Sequence, residues 1–110
     1  MQLPGLNEII DAAKSHWSVY RNMKQTYQEA VAWSAKQIQP FERAFLDIAW
    51  YEPNMKRDTD NIAAGKKFLL DGLQTAGKIE NDGWKQIAGF SDTFAVDKRN
   101  PRVEVEIRRL

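Results

Sequence analysis

The spacing of apolar residues changes along this chain from the helical period to the strand period, and this change restricts the possible folds most strongly. Before Pro40, apolar side chains recur every three or four residues, which predicts a short helix over 7–16 and a longer one over 23–38. After Pro40 the period becomes two, which predicts a strand over 43–51. The expected buried face of this strand consists of Ala44, Leu46, Ile48 and Trp50.

Beyond Pro53, helical spacing returns and predicts a third helix over 61–76. Gly77 is well placed as the C-terminal stop of this helix, with Ile79 available to pack back on its last turn. Residues 84–96 contain short apolar runs, which predict one or two irregular strands.

The C-terminal segment alternates with period two and predicts a half-buried strand after Asn100-Pro101. Its inward face would consist of Val103, Val105 and Ile107. At the N-terminus only the very short segment Met1–Leu3 could form a strand. We therefore expect an α+β fold, in which helices cover a small mixed β-sheet. The length of 110 residues fits a single domain over 1–110.

Composition excludes several classes of protein. The chain has no cysteine, which rules out a disulfide framework, a thiolate zinc site and a cysteine nucleophile. Its formal net charge is +1, which is not that of a strongly basic nucleic-acid binder. Because no apolar run has membrane-spanning length and no signal peptide is recognisable, we expect a cytoplasmic protein with no membrane partner. The single histidine, His16, lacks catalytic partners and is interpreted as a partly exposed residue at a helix end.

Two aspartates one residue apart lie in the segment KRDTDNI, residues 56–62. Taken alone, Asp58 and Asp60 are interpreted as solvated loop residues, with Asp60 as a helix N-cap. A calcium EF-hand is excluded, because Ala63 and Leu69 stand where that loop needs a glycine and a glutamate. A magnesium site is the third interpretation. If this stretch is extended, both carboxylates point to the same side, and a divalent cation offsets their repulsion.

Other charged residues follow at informative spacings. Lys67 lies seven positions after Asp60, so two turns of an uninterrupted helix would bring its ammonium toward the carboxylates. A simpler role is a surface ion pair with Asp71, four residues further on, which stabilises a helix only slightly. Asp82 lies in the segment KIENDGW, where its simpler role is turn formation.

These segments resemble a known family. The stretches RDTDN, KKFLLDGL and AGKIENDGW are similar to the RusA family of Holliday-junction resolvases, common in phages and prophages, with the most specific similarity over 57–84. The N-terminal LPGLNE and the C-terminal strand resemble the family more weakly. The D-x-D-N motif, helix lysine and later essential aspartate of the family fall on Asp58, Asp60, Asn61, Lys67 and Asp82.

The resemblance implies a fold, an activity and a cofactor. Family members are homodimeric, magnesium-dependent endonucleases with a mixed sheet and helices, and they cut four-way DNA junctions by paired nicks during recombination and repair. The implied metal ligands are Asp58, Asp60 and Asp82, which would hold Mg²⁺, with Mn²⁺ as a substitute and no nucleotide cofactor. Lys67 would contact the scissile phosphate or the leaving oxygen. The implied location is the cytoplasm of a bacterial or phage-infected cell.

Polar and basic residues near these motifs are the candidates for DNA contact. They are Asn7, Lys14, Arg21, Lys24, Lys56, Arg57, Asn61 and Lys66. For each basic residue, a solubilising surface charge is an equally good explanation. Since the three site aspartates supply −3 of the net charge, bound metal should strengthen junction binding.

Three other functions are compatible with the sequence. Many family members carry a further aspartate where this chain has Asn81, so the chain could be a catalytically weakened paralogue that binds DNA junctions. The same carboxylates could serve another metal-dependent phosphohydrolase, although the sequence has no P-loop or glycine-rich phosphate-binding loop. A purely structural module would lose nothing but stability if all three aspartates were removed.

Overall fold

The chain folds into helices packed on a small β-sheet. The structure is a computed structural model that describes residues 2–15 and 17–110 and, at Leu6, only the backbone. Its elements in chain order are α1 (Leu6–Ser15), α2 (Trp17–Ser34), β1 (Ala44–Glu52), α3 (Thr59–Ala63), α4 (Lys66–Thr75), β2 (Ile87–Val96) and β3 (Arg102–Arg109). The predictions that concern His16 and Met1 lie outside the described residues.

Strand β1 is the centre of a three-stranded sheet of order β2-β1-β3. It runs parallel to β2 and antiparallel to β3. Its alternate residues are buried, as the period of two predicts, and Leu46, Ile48 and Trp50 are at most 2% exposed. The expected α+β fold with a small mixed sheet is confirmed.

Helices α2 and α4 cover the buried face of the sheet. Val31 of α2 and Phe68, Leu69 and Leu73 of α4 belong to one apolar core together with the inward side chains of β1. The two helices come closest at Gly72, where a Cβ atom would overlap the side chain of Val31. The absence of a side chain at this position therefore sets how near α4 lies to α2.

The helix α2 lies nearer the N-terminus than the predicted range of 23–38. It begins at Trp17 and ends at Ser34. Beyond the end of α2 the chain forms a tighter turn, in which the Ile38 N–H donates to the Ala35 carbonyl three residues back, at 3.0 Å. Pro40 then prevents the helix from continuing.

The helix predicted over 61–76 is in fact two helices, α3 and α4, with a break at Ala64-Gly65. Gly65 is buried at this break. A Cβ atom there would lie 3.0 Å from Leu3 Cβ and 3.1 Å from the Pro4 carbonyl oxygen. The N-terminal segment thus packs against the break, and a larger residue would push it away.

The end of α4 is as predicted. Gly77 has a φ of 71°, a conformation that glycine adopts without strain. The Gly77 N–H donates to the Gln74 carbonyl and the Lys78 N–H to the Leu73 carbonyl, both at 2.9 Å, which is the Schellman pattern. Ile79 is buried in the core, as expected for the residue that packs back on the last turn.

The segment predicted as one or two irregular strands forms the single strand β2. Its register against β1 shifts between Ala44 and Phe45. Gly89 makes room there, because a Cβ atom would lie 2.8 Å from Cε2 of the Phe45 ring. At the N-terminus, Gln2 and Leu3 form no strand.

Candidate functional site

A cleft of about 580 Å³ opens at the C-terminal end of β1, where the chain turns toward α3. Asp58 and Asp60 both line it, from the start of α3. The last residues of β2, from Phe94 to Val96, form another side. This cleft is where the two aspartates of the D-x-D-N motif meet the sheet.

The two aspartates lie at a helix start, where only Asp58 is extended and Asp60 already belongs to the first turn of α3. Asp58 has φ −68° and ψ 155°, and Thr59 already begins α3. The N-cap position is therefore Asp58, and the interpretation of Asp60 as the cap is wrong. Neither carboxylate caps the helix. The Asp58 side chain accepts no cap hydrogen bond, and Asp60 Oδ1 accepts from the adjacent Asn61 N–H, at 2.9 Å. Both residues are exposed and line the open cleft.

A third carboxylate in the cleft wall, that of Glu52, was not singled out from the sequence. It is the last residue of β1 and only 6% exposed. Arg57 holds it in a two-pronged contact, with Nε donating to Oε1 and Nη2 to Oε2, each at 2.9 Å. Gln2 Nε2 also donates to Oε1, at 3.1 Å. The alternation along β1 could have indicated Glu52, because it falls on the same face as the buried Trp50.

Arg57 serves the fold with its whole guanidinium. Besides Glu52, its Nη1 contacts Glu8 Oε1 at 3.0 Å and the Leu3 carbonyl at 3.3 Å. A Cβ atom at Gly5 would lie 2.8 Å from the same Nη1. Arg57, proposed above as a DNA contact, thus ties the N-terminal segment to the end of β1.

The amide of Asn61 is used in the same region. Its Oδ1 accepts from the Asn7 N–H at 2.9 Å, which joins the first turn of α1 to α3. A Cβ atom at Gly5 would lie 2.6 Å from this oxygen. Asn61 and Asn7, both candidates for DNA contact, therefore meet each other beside the cleft.

The two lysines at the start of α4 point in different directions. Lys67 Nζ lies 3.9 Å from Asp71 Oδ2, so the expected pair four residues apart is present. Lys67 is not among the described residues that line the cleft, because the break between α3 and α4 removes the continuous helix on which its approach to Asp60 depended. Lys66 instead donates to Asp92 Oδ2 at 2.8 Å and lies over the Phe90 ring.

The parallel pairing of β1 and β2 decides where Asp82 lies. Asp58 follows the C-terminal end of β1, whereas Asp82 precedes the N-terminal end of β2. A strand of nine residues spans roughly 30 Å, so the two ends of the sheet are far apart. In the described part of the chain, no group of three or more acidic or histidine side chains could hold a metal ion. One chain therefore brings Asp58 and Asp60 to the cleft and leaves Asp82 at the opposite end.

The remaining basic candidates lie on the helices or the cleft loop. Arg21 is stacked over the Trp17 ring at 4.5 Å, and Lys24 Nζ lies 3.8 Å from Asp71 Oδ2. Lys14 and Lys56 are exposed. Of the eight residues considered for DNA contact, these four basic ones keep their charge at or near the surface.

Comparison with known proteins agrees with the family resemblance of the segments that contain Asp58, Asp60 and Asp82. Residues 6–108 match the family model described as endodeoxyribonuclease RusA, whose enzymes resolve Holliday junctions by hydrolysing phosphodiester bonds. A comparison with curated proteins found no match. No helix in the ranges 2–15 and 17–110 is long and apolar enough to cross a membrane. The match spans nearly the whole chain, from the start of α1 to the penultimate residue of β3, and the chain accordingly belongs to the RusA endodeoxyribonuclease family.

Proposed function

We propose that this chain, as one RusA-like domain over 1–110, is a Mg²⁺-dependent, structure-selective endonuclease that resolves four-way junctions by paired cleavage during DNA recombination and repair. The observation that carries the proposal is the pair Asp58 and Asp60, whose exposed carboxylates line an open cleft in a chain of the RusA family. Of the three carboxylates that line this cleft in the described residues, that of Glu52 is paired with Arg57, so Asp58 and Asp60 are the two proposed to bind the cation.

The donor atoms of the cleft suit a hard divalent cation. Carboxylate oxygens of Asp58 and Asp60 and the nearby amide of Asn54 are the ligand types that Mg²⁺ and Mn²⁺ prefer. A bound cation would supply charge neutralisation at the phosphate and a water of lowered pKa. Arg57 keeps the neighbouring Glu52 compensated, so the charge available for the cation is that of the two exposed aspartates.

Lys67 is proposed as the phosphate contact that the family resemblance assigns to it. Its side chain is 52% exposed, and its pair with Asp71 is long at 3.9 Å. The Asp71 side chain is only 14% exposed, but Lys24 Nζ also lies 3.8 Å from its Oδ2, so this carboxylate keeps a neighbouring cation when Lys67 turns toward bound DNA. Lys14, Arg21, Lys24 and Lys56 are the proposed contacts to more distant phosphates, where Lys and Arg supply salt-dependent affinity.

The first test is the substitution Asp60→Asn, which keeps the side-chain volume and removes one ligand charge. We expect the rate of junction cleavage in Mg²⁺ to fall by at least 100-fold while junction affinity, measured by gel shift in Ca²⁺, changes less than threefold. The matched control is Asp11→Asn, an exposed aspartate on α1, which should leave both unchanged. Cleavage by Asp60→Asn within tenfold of the unsubstituted rate would mean that Asp60 only stabilises the start of α3.

The substrate panel separates the alternatives. A labelled four-way junction, a linear duplex and a nucleoside triphosphate are each incubated with the protein, with and without Mg²⁺. A resolvase cleaves only the junction and makes symmetric nicks. Junction binding without cleavage at any metal concentration identifies a weakened paralogue, and hydrolysis of the triphosphate identifies another phosphohydrolase.

A further inference from the structure

A buried carboxylate oxygen lies between helices α2 and α4 without a hydrogen-bond partner. The side chain of Asp71, on α4, is 14% exposed. Its Oδ2 atom is buried and accepts no hydrogen bond from the described residues. A buried acceptor without a donor is uncommon in folded proteins and costs free energy, more so when the group is charged. The groups around this oxygen are therefore informative.

Two ammonium groups flank the oxygen at almost equal distances. Lys24 Nζ, from α2, lies 3.8 Å from Asp71 Oδ2, and Lys67 Nζ, from α4, lies 3.9 Å from it. Hydrogen bonds between an ammonium and a carboxylate are about 2.7–2.9 Å long, so a movement of about 1 Å by either lysine would complete one. In the described part of the chain, neither lysine pairs with another carboxylate. One carboxylate thus serves two cations.

Helix packing holds the carboxylate in place. The two helices meet at the next residue, Gly72, where a Cβ atom would lie 3.0 Å from the Gln28 carbonyl oxygen. The Gln28 amide also donates to the hydroxyl of Thr75, one turn after Asp71. The lysine side chains are freer, because that of Lys24 is 40% and that of Lys67 52% exposed. The carboxylate is therefore the fixed member of this cluster, and the two ammonium groups are the mobile members.

We propose that Asp71 is a positioning residue shared by the two lysines, and that DNA binding changes its partner. Lys67 leaves for a phosphate, and Lys24 closes to hydrogen-bond distance from Asp71 Oδ2. This inference rests on the proposed function, which assigns the phosphate contact to Lys67. It gives Lys24, one of the proposed contacts to more distant phosphates, a second role in the release of Lys67.

The charges of the cluster agree with this exchange. Two ammonium groups and one carboxylate have a net charge of +1, and the DNA phosphate that binds there has a charge of −1. With both lysines present, the carboxylate and the phosphate can each have one cation. Without Lys24, the departure of Lys67 would leave a largely buried carboxylate unpaired, which is strongly unfavourable. Lys67 would then be held by Asp71 and withheld from the phosphate.

The sharing of the carboxylate is tested without DNA, by urea unfolding of a double-mutant cycle. Methionine keeps the helix propensity of lysine and removes its charge. Lys24→Met and Lys67→Met should each lower the equilibrium constant for folding by less than about threefold, because the other lysine remains. The double variant should lower it about tenfold more than the product of the single effects, because the carboxylate then has no cation. Additive effects would overturn the inference.

Two controls identify the carboxylate as the source of this coupling. The cycle is repeated in an Asp71→Asn background, where the excess loss should disappear because a carboxamide needs no cation. Lys67→Met is also combined with Lys56→Met, an exposed basic residue of the cleft loop, and these two effects should be additive. An excess loss that persists with Asp71→Asn would show that the lysines do not act through Asp71.

The exchange on DNA is tested by suppression. Lys24→Met should lower the single-turnover rate of junction cleavage, at saturating protein in Mg²⁺, by about tenfold or more, because Lys67 stays with Asp71. Adding Asp71→Asn to Lys24→Met should restore the rate to within about threefold of that of Asp71→Asn alone. Lys14→Met, at another proposed phosphate contact, should weaken junction binding, and Asp71→Asn should not reverse this.

The opposite result has a distinct form. If Lys24 only contacts a phosphate, Lys24→Met weakens binding, lowers the salt slope by about 1 and leaves the saturated rate unchanged, and Asp71→Asn restores nothing. That result would overturn the exchange. A protein that cleaves junctions but shows additive stability effects and no suppression would overturn the inference and leave the proposed function intact. A protein that cleaves no substrate but shows the excess loss would overturn the proposed function and leave the shared carboxylate intact.

Discussion

Two roles have been considered for Arg57, a structural one and a DNA-binding one. The substitution Arg57→Met tests which of them it has. The sequence suggested a phosphate contact, but the guanidinium holds Glu52 through two hydrogen bonds of 2.9 Å. Methionine keeps much of the aliphatic length and removes every donor. After the substitution, the described partner left to the Glu52 carboxylate is the amide of Gln2, at 3.1 Å.

The expected loss of stability follows from the burial of this pair. The Glu52 side chain is 8% and the Arg57 side chain 18% exposed, so water compensates the abandoned carboxylate poorly. Removing one partner of a buried ion pair lowers the free energy of unfolding by about 3 kcal/mol. The free energy of unfolding of a domain of this size is about 5–15 kcal/mol in all. A loss of about 3 kcal/mol should therefore lower the Tm by roughly 12 °C. The lost contact with the exposed Glu8 adds less than about 1 kcal/mol.

Urea unfolding followed by tryptophan fluorescence measures the loss, since Trp50 is buried beside the cleft strand. The double variant Arg57→Met with Glu52→Met should recover at least about 2 kcal/mol, because the unpaired charge is gone. Lys56→Met, the adjacent exposed basic residue, is the matched control and should change stability by less than about 0.5 kcal/mol. Unchanged stability of Arg57→Met, together with weaker junction binding and a salt slope smaller by about 1, would refute the structural role.

Two further predictions concern the packing and the open face of the sheet. Gly72→Ala should lower the free energy of unfolding by about 1–3 kcal/mol, because the added methyl group overlaps Val31. Gly83→Ala is the control and should be nearly neutral in the same urea assay, because its Cβ atom would lie no closer than 3.8 Å to any neighbouring atom. A hydrogen bond from Ser91 and then the Arg108 guanidinium hold the pKa of Asp47 below its ordinary value of 3.8. Since the pKa of Asp47 is lower in the folded state, its contribution to the free energy of unfolding is complete at pH values above its ordinary pKa and is lost as the pH falls through its folded pKa. Asp47→Asn should therefore make the free energy of unfolding depend less on pH below about pH 4.

Much of the fold follows from local pattern. The period of two located β1 and β3 because each has one face in the core and one in solvent. Gly77 marked the end of α4 because only a residue tolerant of positive φ completes that turn. The break at Gly65 could not be predicted in the same way. It depends on contact with Leu3 and Pro4, which are about sixty positions away in the sequence.

Two residues of the cleft, Asp58 and Asp60, were predictable from the sequence, whereas the arrangement of the cleft was not. The D-x-D-N motif identified the two aspartates of the cleft, since short polar residues after a strand are where functional side chains gather. The burial of Glu52 is a long-range consequence of how the N-terminal segment packs at the end of β1, where Gln2 contacts Glu52 and the Leu3 carbonyl contacts Arg57. The approach of Lys67 to the two aspartates was expected from a spacing that assumed one continuous helix, and the break between α3 and α4 changes the direction of every residue after it.

The position of Asp82 illustrates a general consequence of chain topology. A strand, a helix and a second parallel strand form a crossover, in which the chain leaves from one end of the sheet and returns to the other. Residues just after the first strand and residues just before the second must therefore lie at opposite ends of the sheet, whatever their side chains. A site that uses both sets cannot form within one such unit unless the strands are very short, and β1 has nine residues.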